Sequence, residues 1–104
     1  MTILDTSIVI NLIKNRKTIN EDLTIITLAE FPPILEYSKF NGNIIYPTRK
    51  DLNLTIQLQQ KLRKIGKPKS FTDLLIAAIC INRNEMLITK DENFKDIAKY
   101  RNSN

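Results

Sequence analysis

The hydrophobic positions of the chain fall into short runs separated by polar stretches. Thr2–Leu4 is an apolar run that ends at an acid, which predicts a buried strand. Thr6 or Ser7 then stands where it can cap a helix that reaches roughly Lys14. The β-branched run Leu23–Leu28 predicts the clearest strand of the chain.

The next stretch is dominated by prolines. Glu30–Phe40 is predicted to be helical, with Pro32 and Pro33 confined to its first turn. Ile44–Tyr46 predicts a third short strand, which Pro47 ends.

Residues 51–65 carry two patterns, because their leucines and isoleucines alternate as in a strand and also recur at helical spacing. The many Gln, Lys and Arg residues favour a helix, which Gly66 would end. A buried helix, a fourth strand and a short helix follow, at Phe71–Asn82, Met86–Thr89 and Phe94–Tyr100.

This alternation of strands and helices predicts an α/β fold with a parallel sheet covered on both faces. The 104 residues suit one domain, spanning positions 1–104. The single cysteine, Cys80, excludes an intrachain disulfide and is interpreted as a small buried hydrophobe. Asp5 and Lys14 interrupt the N-terminus too early for a signal peptide or a membrane span, so a cytoplasmic location is expected.

The net charge is +5, and its distribution is uneven. No acid occurs from Leu52 to Thr72, and five basic residues are clustered within this stretch: Lys61, Arg63, Lys64, Lys67 and Lys69. Such a patch suits the phosphates of RNA. A solvated helix face and loop would carry the same residues.

The chain contains no histidine. Serine and cysteine mechanisms that use histidine as a base are therefore excluded, as are zinc sites built on imidazole. Any chemistry must use carboxylates, lysine, hydroxyls or a metal ion with oxygen ligands.

Four acids fall close to predicted strand ends. Asp5, Glu30 and Asp91 follow strands, and Asp73 lies in the first turn of the buried helix. Ligands of parallel sheets bind beyond the carboxyl ends of the strands. Clustered carboxylates repel one another, and a divalent cation removes that conflict; oxygen ligands suit Mg²⁺ or Mn²⁺, as one ion or two.

A simpler interpretation is that each acid only caps a helix, where the helix dipole favours negative charge. Ser70–Asp73, Thr27–Glu30 and Thr48–Asp51 all match the capping-box pattern. The joint placement of the acids favours a metal site instead. Asp5 also follows an apolar run, where a charge without a partner is costly.

Four segments, Ile3–Ser7, Ile26–Glu30, Phe71–Ala78 and Leu87–Phe94, resemble the acidic blocks of PIN-domain proteins in the same order. In particular, the chain resembles the compact VapC toxins of toxin–antitoxin pairs. The resemblance implies a three-layer α/β/α sandwich around a short parallel sheet of four or five strands. It also implies RNA cleavage that depends on Mg²⁺ or Mn²⁺, frequent homodimers and inhibition by a small antitoxin.

Residue by residue, the resemblance assigns the metal-ligand acids to Asp5, Glu30, Asp73 and Asp91. Ser7 and Thr89 match hydroxyls that orient those acids, and Phe94 matches a packing aromatic. Asn93, given the same supporting role, stands where many relatives carry a further aspartate.

Two departures from the family pattern stand out. The stretch between Glu30 and Ile44 is shorter than usual and lacks a helix or helical hairpin, in a region that commonly supports antitoxin and dimer contacts. A final strand is missing or vestigial after Tyr100.

Three other functions compete with a ribonuclease toxin. The first is a truncated, catalytically inactive PIN-like module that binds RNA or protein. A phosphoacceptor signalling domain is disfavoured because Asp5 lacks an acidic neighbour. A haloacid-dehalogenase-type phosphatase is disfavoured because Ser7 occupies the position of the second aspartate of that motif.

Overall fold

The computed structural model describes the backbone of residues 1–101 and the side chains of residues 1–99. The chain forms two compact units. The first contains Met1–Tyr46 and Glu85–Lys90, and the second contains Pro47–Asn84 and the segment that begins at Asp91. All four strands of the described residues lie in the first unit.

The elements of the first unit are β1 (Thr2–Leu4), α1 (Thr6–Lys14), β2 (Leu23–Thr24), α2 (Ile25–Glu30), a 3₁₀ helix (Pro32–Glu36), β3 (Ile44–Ile45) and β4 (Met86–Ile88). β1 pairs in parallel with β4, and β2 pairs in parallel with β3. A single parallel bridge between Ile3 and Asp22 connects the two pairs. The predicted parallel pairing of the strands is therefore observed. One continuous sheet of four or five strands is not confirmed, because the strands form two separate pairs.

The core of the first unit is aliphatic. Leu4, Val9, Ile19, Leu23 and Ile34 form its buried cluster, and each is at most 2% exposed. Burying such side chains contributes roughly 1.5–3 kcal/mol each to the stability of the fold. Because Leu4 belongs to β1 and Val9 to α1, the cluster holds these two elements together.

The predicted strand Leu23–Leu28 is wrong beyond Thr24. The partner strand β3 offers only Ile44 and Ile45 for pairing, and Pro47 lacks the N–H group that would extend the ladder. The Thr24 hydroxyl instead accepts a hydrogen bond from the N–H of Thr27 and caps α2. β-propensity depends strongly on context. Here the Thr24 cap and the two-residue partner strand β3 favour a helix over a longer strand.

The predicted helix Glu30–Phe40 is also wrong. Phe31 precedes a proline, which disfavours helical backbone, and its φ of −138° ends α2 at Glu30. The two prolines then begin the 3₁₀ helix, which ends at Glu36. Glu30 is consequently the last residue of a helix, and Thr27–Glu30 is not a capping box.

The second unit contains α3 (Arg49–Lys64), α4 (Phe71–Arg83) and α5 (Asn93–Arg101), which pack against one another. The helix prediction for residues 51–65 is confirmed. Gly66 ends α3 with a φ of +73°, which favours glycine. The burial predicted for α4 is confirmed as well, because Leu74–Cys80 is buried throughout.

Two remaining expectations concern the C-terminus and membranes. A vestigial strand after Tyr100 would lie largely outside the described residues, which end at position 101. Within residues 1–101, no helix is long and apolar enough to cross a membrane.

Asp51 is a buried acid that organises the start of α3. It is 3% exposed, and its carboxylate accepts hydrogen bonds from the N–H of Thr48 at 2.7 Å and from the Asn82 amide at 2.7 Å. The Thr48 hydroxyl accepts the N–H of Asp51 in return, which completes the predicted capping box. Asp51 thus links α3 to α4.

Replacing Asp51 with alanine should lower the free energy of unfolding by about 2–3 kcal/mol, because the cap is lost and the Asn82 amide loses its acceptor. Urea unfolding measures this change. Asn53→Ala, at an exposed position of the same helix, should stay within about 0.5 kcal/mol of the parent. Equal losses in the two variants would contradict the role of Asp51.

Candidate metal centre

Asp5 lies between β1 and α1 and serves as the N-cap of α1. Its Oδ1 accepts the N–H of Thr6 at 2.9 Å, and its Oδ2 accepts the hydroxyl of Thr89 at 2.7 Å. Its own N–H donates to the carbonyl of Ile88 at 2.9 Å, which places Asp5 directly at the end of the β1–β4 pair. The prediction that Thr6 or Ser7 caps α1 is therefore wrong, since Asp5 does so.

Asp5 is buried, with 8% of the residue exposed. Among the described residues, no Lys or Arg forms an ion pair with it. Its hydrogen-bond donors are neutral, and the N-terminus of α1 offsets the charge only in part, so no full positive charge faces the carboxylate. A buried carboxylate of this kind is stabilised by a cation, and oxygen ligands fit Mg²⁺ or Mn²⁺.

Glu30 reaches the same region through Thr6. The Thr6 hydroxyl donates to Glu30 Oε1 at 2.6 Å and lies 3.0 Å from the Thr27 hydroxyl. A hydroxyl has one proton to donate, so Thr27 acts as the donor to Thr6. Thr6 therefore binds Asp5 with its backbone N–H and Glu30 with its side chain.

Sequence reasoning missed Thr6 and Thr27. Thr27 precedes Glu30 by three residues, so the two share a helix face, but that signal is visible only when the segment is recognised as helix. Ser7, the hydroxyl that was singled out, is exposed and takes no part in these hydrogen bonds. Thr89, the other one, contacts Asp5 directly.

Asp73 and Asp91 belong to the second unit, and both are half-buried. Asp73 lies in the first turn of α4, where its N–H donates to the hydroxyl of the N-cap Ser70 at 3.2 Å. Asp91 precedes α5 and accepts the N–H of Asn93 on Oδ1 at 2.9 Å. Both acids therefore stand at helix N-termini, as the sequence predicted.

The four acids are divided between the units, with Asp5 and Glu30 in the first and Asp73 and Asp91 in the second. Among the described residues of either unit, no three Asp, Glu or Cys side chains form a group that could hold a metal ion. A site shared by all four acids stays a prediction.

Two lysines of the basic patch, Lys67 and Lys69, form ion pairs with Asp96. Lys69 donates to Asp96 Oδ2 at 2.8 Å, and its side chain is only 9% exposed. Lys67 lies 3.5 Å from the same carboxylate. The hydrogen bond from Lys69, together with both positive charges, holds the pKa of Asp96 below its ordinary value of 3.8, although partial burial acts in the opposite direction. Lys61 is half-buried, and Arg63 and Lys64 are exposed.

Comparison with known proteins identifies the family. The family model of the PIN domain matches residues 33–100, which is more than half of the chain. The chain belongs to the PIN domain family. PIN domains are generally nucleases that use divalent metals, and the predicted α/β fold class is confirmed.

Solved structures of related architecture agree with this family. The chain is 25% identical to VapBC-1 from nontypeable Haemophilus influenzae, covering 94% of this chain and 92% of that one, with a TM-score of 0.73. It is 25% identical to VapBC2 from Rickettsia felis, solved bound to a DNA fragment from their promoter, covering 92% of each chain with a TM-score of 0.69.

A toxin–antitoxin complex from Klebsiella pneumoniae is 19% identical over 90% of each chain, with a TM-score of 0.68, and shows a similar fold. No curated protein matches the PIN-domain chain in sequence.

Thr6→Val should lower the free energy of unfolding by about 1–2 kcal/mol, because Thr27 loses its buried acceptor and Glu30 its donor while the backbone N–H on Asp5 remains. Denaturant unfolding measures the loss. Ser7→Ala is the matched control and should change stability by no more than about 0.5 kcal/mol. If Thr6→Val is as stable as Ser7→Ala, the hydroxyl contacts do not hold Glu30.

The lowered pKa of Asp96 predicts how the stability of the fold depends on pH. Its pKa is lower in the folded state than in the unfolded state, so its stabilising effect is present above the unfolded value and disappears as pH falls through the folded value. Between about pH 5 and pH 2, Asp96→Asn should therefore lose less unfolding free energy than the parent. Glu92→Gln, at an exposed acid paired with Lys95, should follow the parent. Parallel curves for all three proteins would contradict this assignment.

Proposed function

We propose that this PIN-domain protein is an endoribonuclease that depends on Mg²⁺ or Mn²⁺, with Asp5, Glu30, Asp73 and Asp91 as its metal ligands. The observation that carries the proposal is the buried carboxylate of Asp5, which has oriented oxygens and no basic partner among residues 1–99. A buried acid without a counter-charge is costly to the fold unless a cation is bound beside it.

Each part of this site has a distinct role. When bound, the metal ion supplies an activated water molecule and neutralises negative charge on the phosphodiester. Thr89 and the N–H of Thr6 fix the two oxygens of Asp5, and the Thr6 hydroxyl fixes Glu30.

The charge of the protein supports RNA as the substrate. The net charge is +5, and Arg63 and Lys64 are exposed at the end of α3. A cavity of about 460 Å³ in the second unit is lined by Arg49, Lys50 and polar or apolar neighbours, with no acid among them. Basic side chains of this kind attract phosphates without selecting a sequence.

We further propose that the protein is the toxin of a toxin–antitoxin pair and that a small antitoxin binds it. The similar structures are VapBC or toxin–antitoxin complexes, which supports this role. Ile56 and Phe71 are exposed beside a shallow apolar cavity, which suits a protein partner. A homodimer, a single domain over residues 1–104 and a continuous four- or five-stranded sheet stay predictions.

An inactive module that binds RNA or protein is the second candidate. The position of Glu30 favours it, because Glu30 is exposed at the last residue of α2 and is followed directly by the shortened segment. A carboxylate there can turn towards solvent and leave the metal site with three aspartates.

An RNA-degradation assay with Mn²⁺ and with a chelator separates the candidates. The parent should cleave RNA only with metal. Asp73→Asn should lower the rate by more than the roughly 10–100-fold typical of changes around a metal ligand, while remaining folded. Glu36→Gln, at an exposed acid outside the site, should keep the parent rate.

Two results would contradict the proposal. Metal-dependent cleavage that persists in Asp73→Asn would remove the site assignment. A parent protein that binds RNA but cleaves none of it with Mn²⁺ would instead favour the inactive module.

A further inference from the structure

Lys69 is an almost buried cation in the linker between α3 and α4. Its side chain is 9% exposed, whereas that of nearby Lys67 is 53% exposed. A lysine is seldom buried to this extent unless its charge is paired. The ammonium of Lys69 donates to Asp96 Oδ2 at 2.8 Å and to Asn93 Oδ1 at 3.1 Å. Both acceptors belong to α5, so Lys69 ties the linker to the start of that helix.

The backbone of Lys69 is fixed as firmly as its side chain. The amide of Gln59 on α3 donates to the carbonyl of Lys69 at 2.7 Å and accepts its N–H at 3.1 Å. One side chain therefore satisfies both backbone polar groups of Lys69. Gln59 thus fixes the backbone from which the lysine side chain starts, and Asn93 and Asp96 hold the ammonium at its other end.

Asn93 connects this ammonium to a predicted metal ligand. Its side-chain oxygen accepts from Lys69, and its backbone N–H donates to Asp91 Oδ1 at 2.9 Å. A continuous path of hydrogen bonds thus runs from Gln59 through Lys69 and Asn93 to Asp91. The same ammonium lies 2.8 Å from Asp96 Oδ2, and this ion pair anchors it from a second side.

We propose that Lys69 is a positioning residue for Asp91: its ammonium holds Asn93 in place, and Asn93 holds the Asp91 carboxylate in the orientation that binds metal. The inference rests on the proposed function, because it takes Asp91 to be a metal ligand. In this role Lys69 binds neither the metal nor the RNA. It affects metal binding only through its hydrogen bond to Asn93, which in turn binds Asp91.

The sign of the effect on metal affinity separates this role from simple electrostatics. Removing a positive charge near a bound dication reduces repulsion, which alone would strengthen metal binding. Releasing the Asp91 carboxylate from its fixed orientation would weaken metal binding. A lysine that only stabilises the fold would alter the melting temperature of the metal-free protein and leave the affinity for metal unchanged.

The test is a Mn²⁺ titration of the full chain, with Kd taken from the rise in melting temperature as metal is added. Lys69→Met keeps the apolar stem and removes the charge, and it should weaken Mn²⁺ binding by roughly tenfold. Lys95→Met is the matched control, since it removes an exposed lysine paired with Glu92, the neighbour of Asp91. The control should keep the parent Kd or bind slightly more tightly.

A second variant covers the case in which Lys69→Met fails to fold. Asn93→Ala removes one of the two acceptors of Lys69 and keeps both the N–H on Asp91 and the ion pair with Asp96. It should weaken Mn²⁺ binding in the same direction. An unchanged or tighter Kd in Asn93→Ala, or in folded Lys69→Met, would overturn the positioning role.

Failure of the inference is distinguishable from failure of the proposed function. If only the inference is wrong, the parent still binds Mn²⁺ and cleaves RNA, and the variants match it. If the parent shows no rise in melting temperature at millimolar Mn²⁺, the metal site is absent and both proposals are overturned.

Discussion

Asp5 brings a charged carboxylate into a buried position where β1 ends and α1 begins, and the contacts around it depend on that charge. Its two oxygens are held by the N–H of Thr6 and the hydroxyl of Thr89, which ties the start of α1 to the end of β4. Both donors are neutral and the N-terminus of α1 offsets the charge only in part, so the carboxylate has no cationic partner among the described residues. A dication beside Asp5 would supply the missing positive charge, and PIN domains are generally nucleases that use divalent metals.

The same junction organises Glu30. Thr6 contacts Asp5 through its backbone and Glu30 through its side chain, so the orientation of one acid is coupled to that of the other within the first unit. Glu30 lies at the C-terminal end of α2 because the residue before Pro32 disfavours helical backbone and ends the helix there. In the second unit, Asp91 is held by the N–H of Asn93, and Asn93 is held by Lys69.

Local pattern predicted much of the fold. β1 was predicted from an apolar run that ends at an acid, and α4 from its length and nearly continuous apolar content. For α3, the helix-forming residues and Gly66 decided between two apolar patterns. Leu23–Leu28 was misassigned because a β-branched run cannot form a strand where its partner is only two residues long. The sequence also predicted Asp5 at a strand end and Asp73 at a helix start, whereas Glu30, expected after a strand, is the last residue of α2. The roles of Thr6 and Lys69 were not, because both depend on contacts between residues far apart in the chain.

A crystal of the protein grown with Mn²⁺ tests the central claim most directly, through the anomalous signal of the ion. The account predicts a manganese peak liganded by the carboxylate of Asp5. Manganese bound only away from Asp5, or no bound manganese at all, would contradict the account.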